Sequence, residues 1–419
     1  MKGWALHPNF NKETKGVLTL NGMELFAKCQ GKYYVPRGFE QFKYVDFSTS
    51  MLGEMMNPMI EPISLRDYQV PAVKAVIEYL DEPPKGAILF APCGRGKTVM
   101  GLEIARKLGR KTLVLVHKEF LVDQWIERAN TFLPQAKIGI WQRDTVPDGT
   151  EDIVIAMVQS ICKREYPAET YDLFGTVIAD ETHRYAAPMW QNAFGRFDSA
   201  YRVGLTATPE RKDGMQKALF LHIGPIVYEM EGHKRIPTIW RINTECSMKI
   251  PKLWNGDVNT SKMITDLSKI EDRTDLIIRM TKRALLKGRK VLILSERVAH
   301  VKEMKTILSK DFEESDFSVD LYIGGMSQGA REESAKADVI VGTYAMAQEG
   351  LDIPALDTLI LATPKTSITQ SVGRILRDAP DKKDPVVLDV VDPKIGILNA
   401  YWGARKKTYT KLGYNILFN

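Results

Sequence analysis

A chain of 419 residues, 44% hydrophobic and 26% charged, is neither fibrous nor disordered in composition, and it has the length for two or three domains that each bury a core. Its 58 Lys and Arg against 52 Asp and Glu leave a net charge of +6, which suits a polyanionic partner without requiring one. Cys29, Cys93, Cys162 and Cys246 lie far apart with no CxxC pair, against a zinc or disulfide framework and in keeping with a reducing compartment.

No apolar run approaches the roughly 18–20 residues of a membrane span. The opening MKGWALHPNFNKETKG lacks the apolar core of a signal or transit peptide. A soluble, unexported, cytoplasmic protein with no membrane partner is expected.

In chain order, the first sixty residues form a segment of their own. VLTLNGMELFAKCQGKYYVPRG alternates polar and apolar residues around the turn signals Asn21-Gly22 and Gln30-Gly31, which predicts a small β-rich module over 1–60. Short runs rich in Val, Ile and Leu follow at 86–92, 112–117, 152–158, 176–181 and 202–208, and again at 290–295, 319–325, 338–344, 358–364 and 386–392. Runs of this length, apolar on both faces, read as buried parallel strands, and the helical patterns between them, such as KTVMGLEIARKLG, imply α/β layers. Pro, Asn and Gly breakers in IPTIWRINTECSMKIPKLWNGDVN place a linker at 233–262. The predicted organisation is therefore module 1–60, an α/β domain 61–232, the linker, an α/β domain 263–395, and a basic helix with a short tail at 396–419.

The run at 86–92 leads into APCGRGKT, residues 91–98, and then a helix: strand, Gly-rich loop, helix. Gly94 and Gly96 let backbone N–H groups approach phosphate, and the helix N-terminus adds its own donors. Ala91, Pro92, Cys93 and Arg95 complete the loop. Lys97 would meet the β- and γ-phosphates of ATP, and Thr98 would bind Mg²⁺. Ala91 stands where the usual pattern has glycine, and a lysine-bearing surface loop is the bland alternative. TVIADETHR then puts Asp180 and Glu181 at the carboxyl end of a buried strand, where ligands of open α/β sheets bind. Asp180 suits Mg²⁺ and Glu181 suits the base for an attacking water.

DETH at 180–183 resembles the DExH box of superfamily 2 helicases, and further motifs follow in that family's order. LRDYQ (65–69) resembles its adenine-recognising segment, with Arg66 and Gln69 on the nucleotide. LVLVHKEFLVDQW (113–125) and VQS (158–160) resemble first-domain nucleic-acid motifs, and GLTATPER (204–211) the coupling motif. TYAMAQEGLDIP (343–354) and QSVGRILR (370–377) resemble motifs V and VI. The resemblance covers about 60–395 and implies two tandem RecA-like parallel-sheet domains after the β-rich module. It implies Gly350 and Asp352 near the nucleotide, and His183, Thr206 and Thr208 as couplers of hydrolysis to strand grip.

Gln370, Arg374 and Arg377 fall at i, i+4 and i+7, one face of a helix. The resemblance makes that face catalytic, with Arg377 as the more direct arginine finger on the γ-phosphate and Arg374 also on the phosphates. A solvated helix surface is the alternative. Neither half then holds the whole site, so ATP is expected to draw the two together. Candidate strand contacts are His117, Lys118, Gln159, Ser160, Ser295, Arg297 and Thr343, whose types hold phosphate and sugar with little sequence preference.

His183, where RNA-directed DEAD-box proteins have Asp, and TAT in place of SAT, resemble the DNA repair and recombination branch, nearest to the UvsW-type and XPB-type helicases. A monomeric ATP- and Mg²⁺-dependent helicase remodelling forked or branched DNA with a single-stranded segment is expected, with 3′→5′ travel. A phage or compact bacterial source fits the short chain, with a host cytoplasm if it is phage-encoded. The alternatives are a duplex translocase without strand separation, an ATP-switched DNA clamp and, less favoured, an RNA helicase. For module 1–60, Lys2, Lys12, Lys15, Lys28, Lys32, Arg37 and Lys43 among Tyr33, Tyr34, Phe39 and Phe42 suggest duplex or junction binding, with a structural cap on the first domain as the alternative.

Overall fold

In the computed structural model the described residues are 4–92, 94–182, 187–207, 216–231, 235–349, 351, 353–377 and 379–418; of 187, 188, 190, 191, 328, 348 and 349 only the backbone is described. The chain divides into two compact units, Met1–Gly232 and His233–Asn419. Among the described residues no helix is long and apolar enough to cross a membrane.

The first unit opens with the small β-rich module. Strands β1 (Trp4–His7), β5 (Lys32–Pro36) and β4 (Ala27–Cys29) form an antiparallel sheet in the order β1-β5-β4, and β2 (Thr19–Leu20) pairs with β3 (Met23–Glu24). The Asn21-Gly22 and Gln30-Gly31 turns carry positive φ at both residues, as tight hairpins between twisted strands require. The aromatics face inward. Phe10 stacks on Tyr33 at 4.3 Å, and Phe26, Phe39 and Tyr44 close around Ala5, Leu18 and Val35.

Arg37 is buried, not displayed as the basic-surface reading expects. Its guanidinium donates to the Ser199 carbonyl at 2.6 Å beside Asp198, and burial lowers its pKa to about 10 against the opposing pull of Asp198. Gly38 donates to the Leu221 carbonyl at 2.8 Å, and a Cβ there would meet the carbonyls of Phe220 and Leu221 at 2.7 Å. The module is thus anchored on the first α/β layer by buried polar groups, which explains why Arg37, Phe39 and Phe42 lie under its surface.

That layer is a seven-stranded sheet of β6 (Lys85–Phe90), β7 (Thr112–Val116), β8 (Ile138–Trp141), β9 (Ile153–Met157), β10 (Thr176–Ala179), β11 (Tyr201–Thr206) and β12 (Ile226–Glu229). Its order is β12-β6-β11-β10-β7-β9-β8 and every pair is parallel. The five runs anticipated in this half all form strands, and their residues are buried because helices cover both faces. Helices Val70–Tyr79, Lys97–Leu108 and Glu119–Phe132 pack Val76, Leu102 and Trp125 on one face; Ile161, Phe174, Phe194 and Phe197 cover the other.

The second unit repeats the plan. Its strands are β13 (Thr238–Asn243), β14 (Val291–Ser295), β15 (Val319–Tyr322), β16 (Val339–Thr343), β17 (Thr358–Leu361), β18 (Val386–Val391) and β19 (Asn415–Phe418). They are all parallel, in the order β15-β16-β14-β17-β18-β13-β19. The two seven-stranded parallel sheets are the tandem RecA-like domains.

Two segments depart from expectation. β13 lies inside the stretch read as a linker, 233–262, yet pairs with β18 along its whole length. The C-terminal segment forms the expected helix, Gly396–Lys411, but that helix buries Trp402 and Tyr409 in the sheet's core, and the short tail is the sheet's edge strand β19. Arg405 of that helix makes a buried two-point ion pair with Asp389 of β18, both bonds 2.8 Å, and Asp389 also accepts from the Tyr409 hydroxyl at 2.8 Å.

Candidate nucleotide site

All strands of a parallel sheet end at one edge, and in the first unit the chemistry collects there. β6 ends at Phe90 and the chain turns through the phosphate loop into helix Lys97–Leu108. Gly94 and Gly96 take φ of +82° and +79°, which a side chain would strain. A Cβ on Gly96 would also lie 2.3 Å from the Gln69 amide nitrogen. Gln69 is buried against the loop: its amide donates to the Arg95 carbonyl at 3.0 Å and accepts from the Arg66 N–H at 3.0 Å. Gln69 thus braces the loop in this conformation, where the sequence suggests it reads a base edge. Arg66 is exposed and donates to the Tyr68 hydroxyl at 3.0 Å, and Arg95 lies over the Tyr68 ring at 4.4 Å. Ala91 is buried and donates its N–H to the Thr206 carbonyl at 2.9 Å, tying the loop to the start of the coupling motif; Pro92 and Thr98 are half-buried. Cys93, His183, Thr208, Gly350 and Asp352 fall outside the described residues.

Across β11, strand β10 delivers the acidic pair. Lys97 Nζ sits 3.2 Å from Glu181 Oε1 and 3.5 Å from the Ala91 carbonyl oxygen. Glu181 adopts φ +48°, a left-handed conformation uncommon away from glycine and concentrated where function requires strain. Asp180 is buried. Its Oδ1 accepts from the Glu181 N–H and its Oδ2 from the Trp125 indole N–H, both at 2.9 Å. Burial first, and the neighbouring Glu181 charge second, push its carboxyl up to about 6, while Lys97 and the indole pull it down. An all-oxygen pair of Asp180 and Thr98 suits a hard cation such as Mg²⁺, and a buried carboxylate this costly to ionise fits that use.

In the second unit, helix Thr369–Gly373 gives way to a single tight turn over Arg374–Leu376, and Arg377 is extended at φ −66°, ψ 144°. Gln370, Arg374 and Arg377 therefore do not share one regular helical face. The physical reason lies in Arg374. Its guanidinium is buried and donates to the carbonyls of Ala347 and Leu351, the latter at 3.0 Å, so it binds motif VI to motif V. Arg377 and Gln370 are half-buried.

Residues 62–211 match the family of the type III restriction enzyme res subunit, and 269–379 match the helicase conserved C-terminal domain. The putative ATP-dependent RNA helicase L396 of Acanthamoeba polyphaga mimivirus is 36% identical over 92% of this chain and 75% of its own length. The chain is a superfamily 2 helicase. Among solved structures, a fragment of a putative HsdR subunit of a type I restriction enzyme from Vibrio vulnificus aligns over 84% of this chain and 67% of that one, with 19% identity and a TM-score of 0.56. T4 UvsW aligns over 87% and 78% with 19% identity and a TM-score of 0.35. As a member of this family the chain binds nucleotide, hydrolyses ATP and handles nucleic acid.

The strand contacts expected of the helicase are for the most part engaged within the fold. Gln159 donates to the His117 carbonyl at 2.8 Å, joining two first-domain motifs, and Ser160 accepts from the Arg143 N–H at 3.2 Å. His117 and Lys118 are half-buried at the start of helix Glu119–Phe132. Ser295 is fully buried, bonded to His300 at 3.1 Å and to the Arg297 N–H at 3.2 Å. Arg297 holds helix Thr260–Leu267 through the Ser261 carbonyl at 2.8 Å and the Thr265 hydroxyl at 2.9 Å. Thr343 is buried at the end of β16. Trp125 is the site residue that sequence reasoning passes over. It sits in the quoted VDQW, but only the fold reveals that its partner lies 55 positions on.

Proposed function

We propose that this helicase is an ATP- and Mg²⁺-driven DNA motor that remodels branched or forked DNA as a monomer. The observation that carries the ATPase half is the convergence of Lys97, Asp180 and Glu181 at one sheet edge, with Glu181 held in a strained conformation on Lys97. ATP supplies a stronger anion for Lys97 than a carboxylate does. The γ-phosphate then takes the lysine, and Glu181 is released to orient a water and accept its proton as the water oxygen attacks phosphorus and ADP departs. Mg²⁺, when bound, neutralises charge on the phosphates; Asp180 and Thr98 are the residues to hold it. Arg377 is the finger that stabilises charge on the transferred phosphoryl group.

His183 in place of the DEAD-box Asp, and the restriction-enzyme family matched by 62–211, support DNA as the track. The name of the mimivirus relative supports a second reading, an RNA helicase, and its viral source supports work inside an infected cell. One experiment separates these. Matched forked DNA, four-way DNA and RNA duplexes are offered to the full chain with ATP and Mg²⁺, beside Lys97→Ala and Arg377→Ala. Expected is strand displacement on the branched DNA, no activity in Lys97→Ala, and ATP binding without turnover in Arg377→Ala. Unwinding of RNA alone refutes the DNA assignment, normal turnover in Arg377→Ala refutes the finger, and ATP-driven movement without displacement points to a duplex translocase.

A further inference from the structure

Where β13 reaches the carboxyl edge of the second sheet, the chain does not pass directly into a helix. Residues 251–258 first close a hairpin turn. Lys252 and Val258 form an antiparallel bridge, Leu253 donates to the Asp257 carbonyl at 2.7 Å, and Gly256, at φ +89°, donates to Leu253 at 3.0 Å. Asn255 locks the tip by donating to the Asp257 carboxylate at 2.8 Å and accepting from its N–H at 3.1 Å. The base is equally fixed. Met248, Ile250 and Val258 pack on Met263, Ile264 and Leu267, and Asn259 caps helix Thr260–Leu267.

This rigid scaffold holds Trp254 out in solvent, 99% exposed, more than any other large apolar side chain among the described residues. A tryptophan forgoes more apolar burial this way than any other residue type, and here no loose loop accounts for it. Lys249 and Lys252, in the same segment of chain, are also exposed, while the Asp257 carboxylate is turned to Asn255. An exposed aromatic ring on a segment that also displays two lysines has the chemistry of a base-stacking platform, with the ring for the base and the ammonium groups for the backbone.

The hairpin's place in the fold agrees. It stands at the ligand-binding edge of the parallel sheet, and Arg297, from the loop after β14, fastens the helix it leads into. We propose that Trp254 stacks on an unpaired base of the nucleic-acid strand, the hairpin serving as a fixed post against which the strand is held. This rests on the nucleic-acid motor reading above.

The test uses the full chain, Trp254→Ala and Trp254→Phe, with fluorescence anisotropy on a labelled single-stranded oligothymidylate and on an abasic oligomer of the same length. The parent should prefer the thymidylate. Trp254→Ala should lose about tenfold on it, while its affinity for the abasic strand stays within about twofold, and Trp254→Phe should keep most of the preference. ATPase without nucleic acid should be unchanged in both variants, since the ring is 99% exposed. Equal losses on both strands, or no loss on either, would overturn the proposal. So would a fall in sedimentation mass with Trp254→Ala, which would assign the ring to a contact between protein chains. A parent that binds neither oligomer would instead strike the motor reading itself.

Discussion

Asp180→Asn tests whether the acidic pair is held against the interests of the fold. The Asp180 carboxyl stands at about 6 against an ordinary value near 3.8, because burial and then Glu181 disfavour its charge. At about 1.4 kcal/mol per pKa unit, keeping it ionised at neutral pH costs the ligand-free protein about 3 kcal/mol. The folded pKa is raised, so the stabilising contribution is complete below about pH 4, is lost as pH rises to 6, and stays lost above. Asparagine never ionises and escapes that loss. It also turns an amide toward either the Trp125 or the Glu181 N–H, both donors to Asp180, at a cost of about 1–3 kcal/mol that does not vary with pH. The unfolding free energy of the variant minus that of the parent should therefore climb by about 2–3 kcal/mol from pH 4 to pH 7, nearly all of it below about pH 6. Hydrogen exchange of the β10 amides reads this in the first unit alone. A difference that stays flat with pH, or falls, would refute the claim that the ionised carboxylate is held at the fold's expense.

Two further substitutions probe the support of Asp180 and the core of the second unit. Trp125→Phe keeps most of the ring volume but removes the hydrogen bond that fixes Asp180, so the Mg²⁺ concentration for half-maximal ATPase should rise about tenfold, while nucleotide binding in EDTA stays unchanged. A Mg²⁺ titration of turnover, beside a binding isotherm without metal, decides it. Asp389→Ala leaves the Arg405 guanidinium buried without its carboxylate and should destabilise the second unit by about 3–5 kcal/mol, seen as an earlier melting transition in calorimetry.

The strands that sequence makes plain are those buried on both faces. β7 and β16 are unbroken apolar runs because helices cover each side, and all ten such runs form strands. β13 and β19 are not runs of this kind. β13 presents a mostly half-buried TIWRIN and β19 is an edge strand, so each lacks the continuous apolar signature, and Pro237 and Pro251 make the surroundings of β13 read as a linker. The phosphate loop and acidic pair are legible because their chemistry depends on residues adjacent in sequence. Trp125 and Gln69 act across 55 and 26 positions, and spacing alone carries no trace of such partners. The internal partners of the expected strand contacts were equally hidden: Ser295 accepts from the Arg297 N–H and Gln159 donates to the His117 carbonyl, because short polar side chains bond to backbone as readily as to phosphate.

The same distinction separates the two motif VI arginines, which look equivalent as letters. Arg374 grips two carbonyls of the segment that follows β16, so substituting it removes a buried brace as well as a charge. Any loss of activity in Arg374→Ala would mix a loosened motif V with the loss of whatever phosphate contact the residue makes. Arg377 lies past the end of the helical turns, on extended backbone, with its carbonyl held by Lys382 at 2.7 Å. Replacing Arg377 leaves the Arg374 brace on Ala347 and Leu351 in place, which makes it the cleaner probe of the proposed charge stabilisation. Arg374 ties motif VI directly to the segment after β16, whereas Arg377 lies beyond that tie.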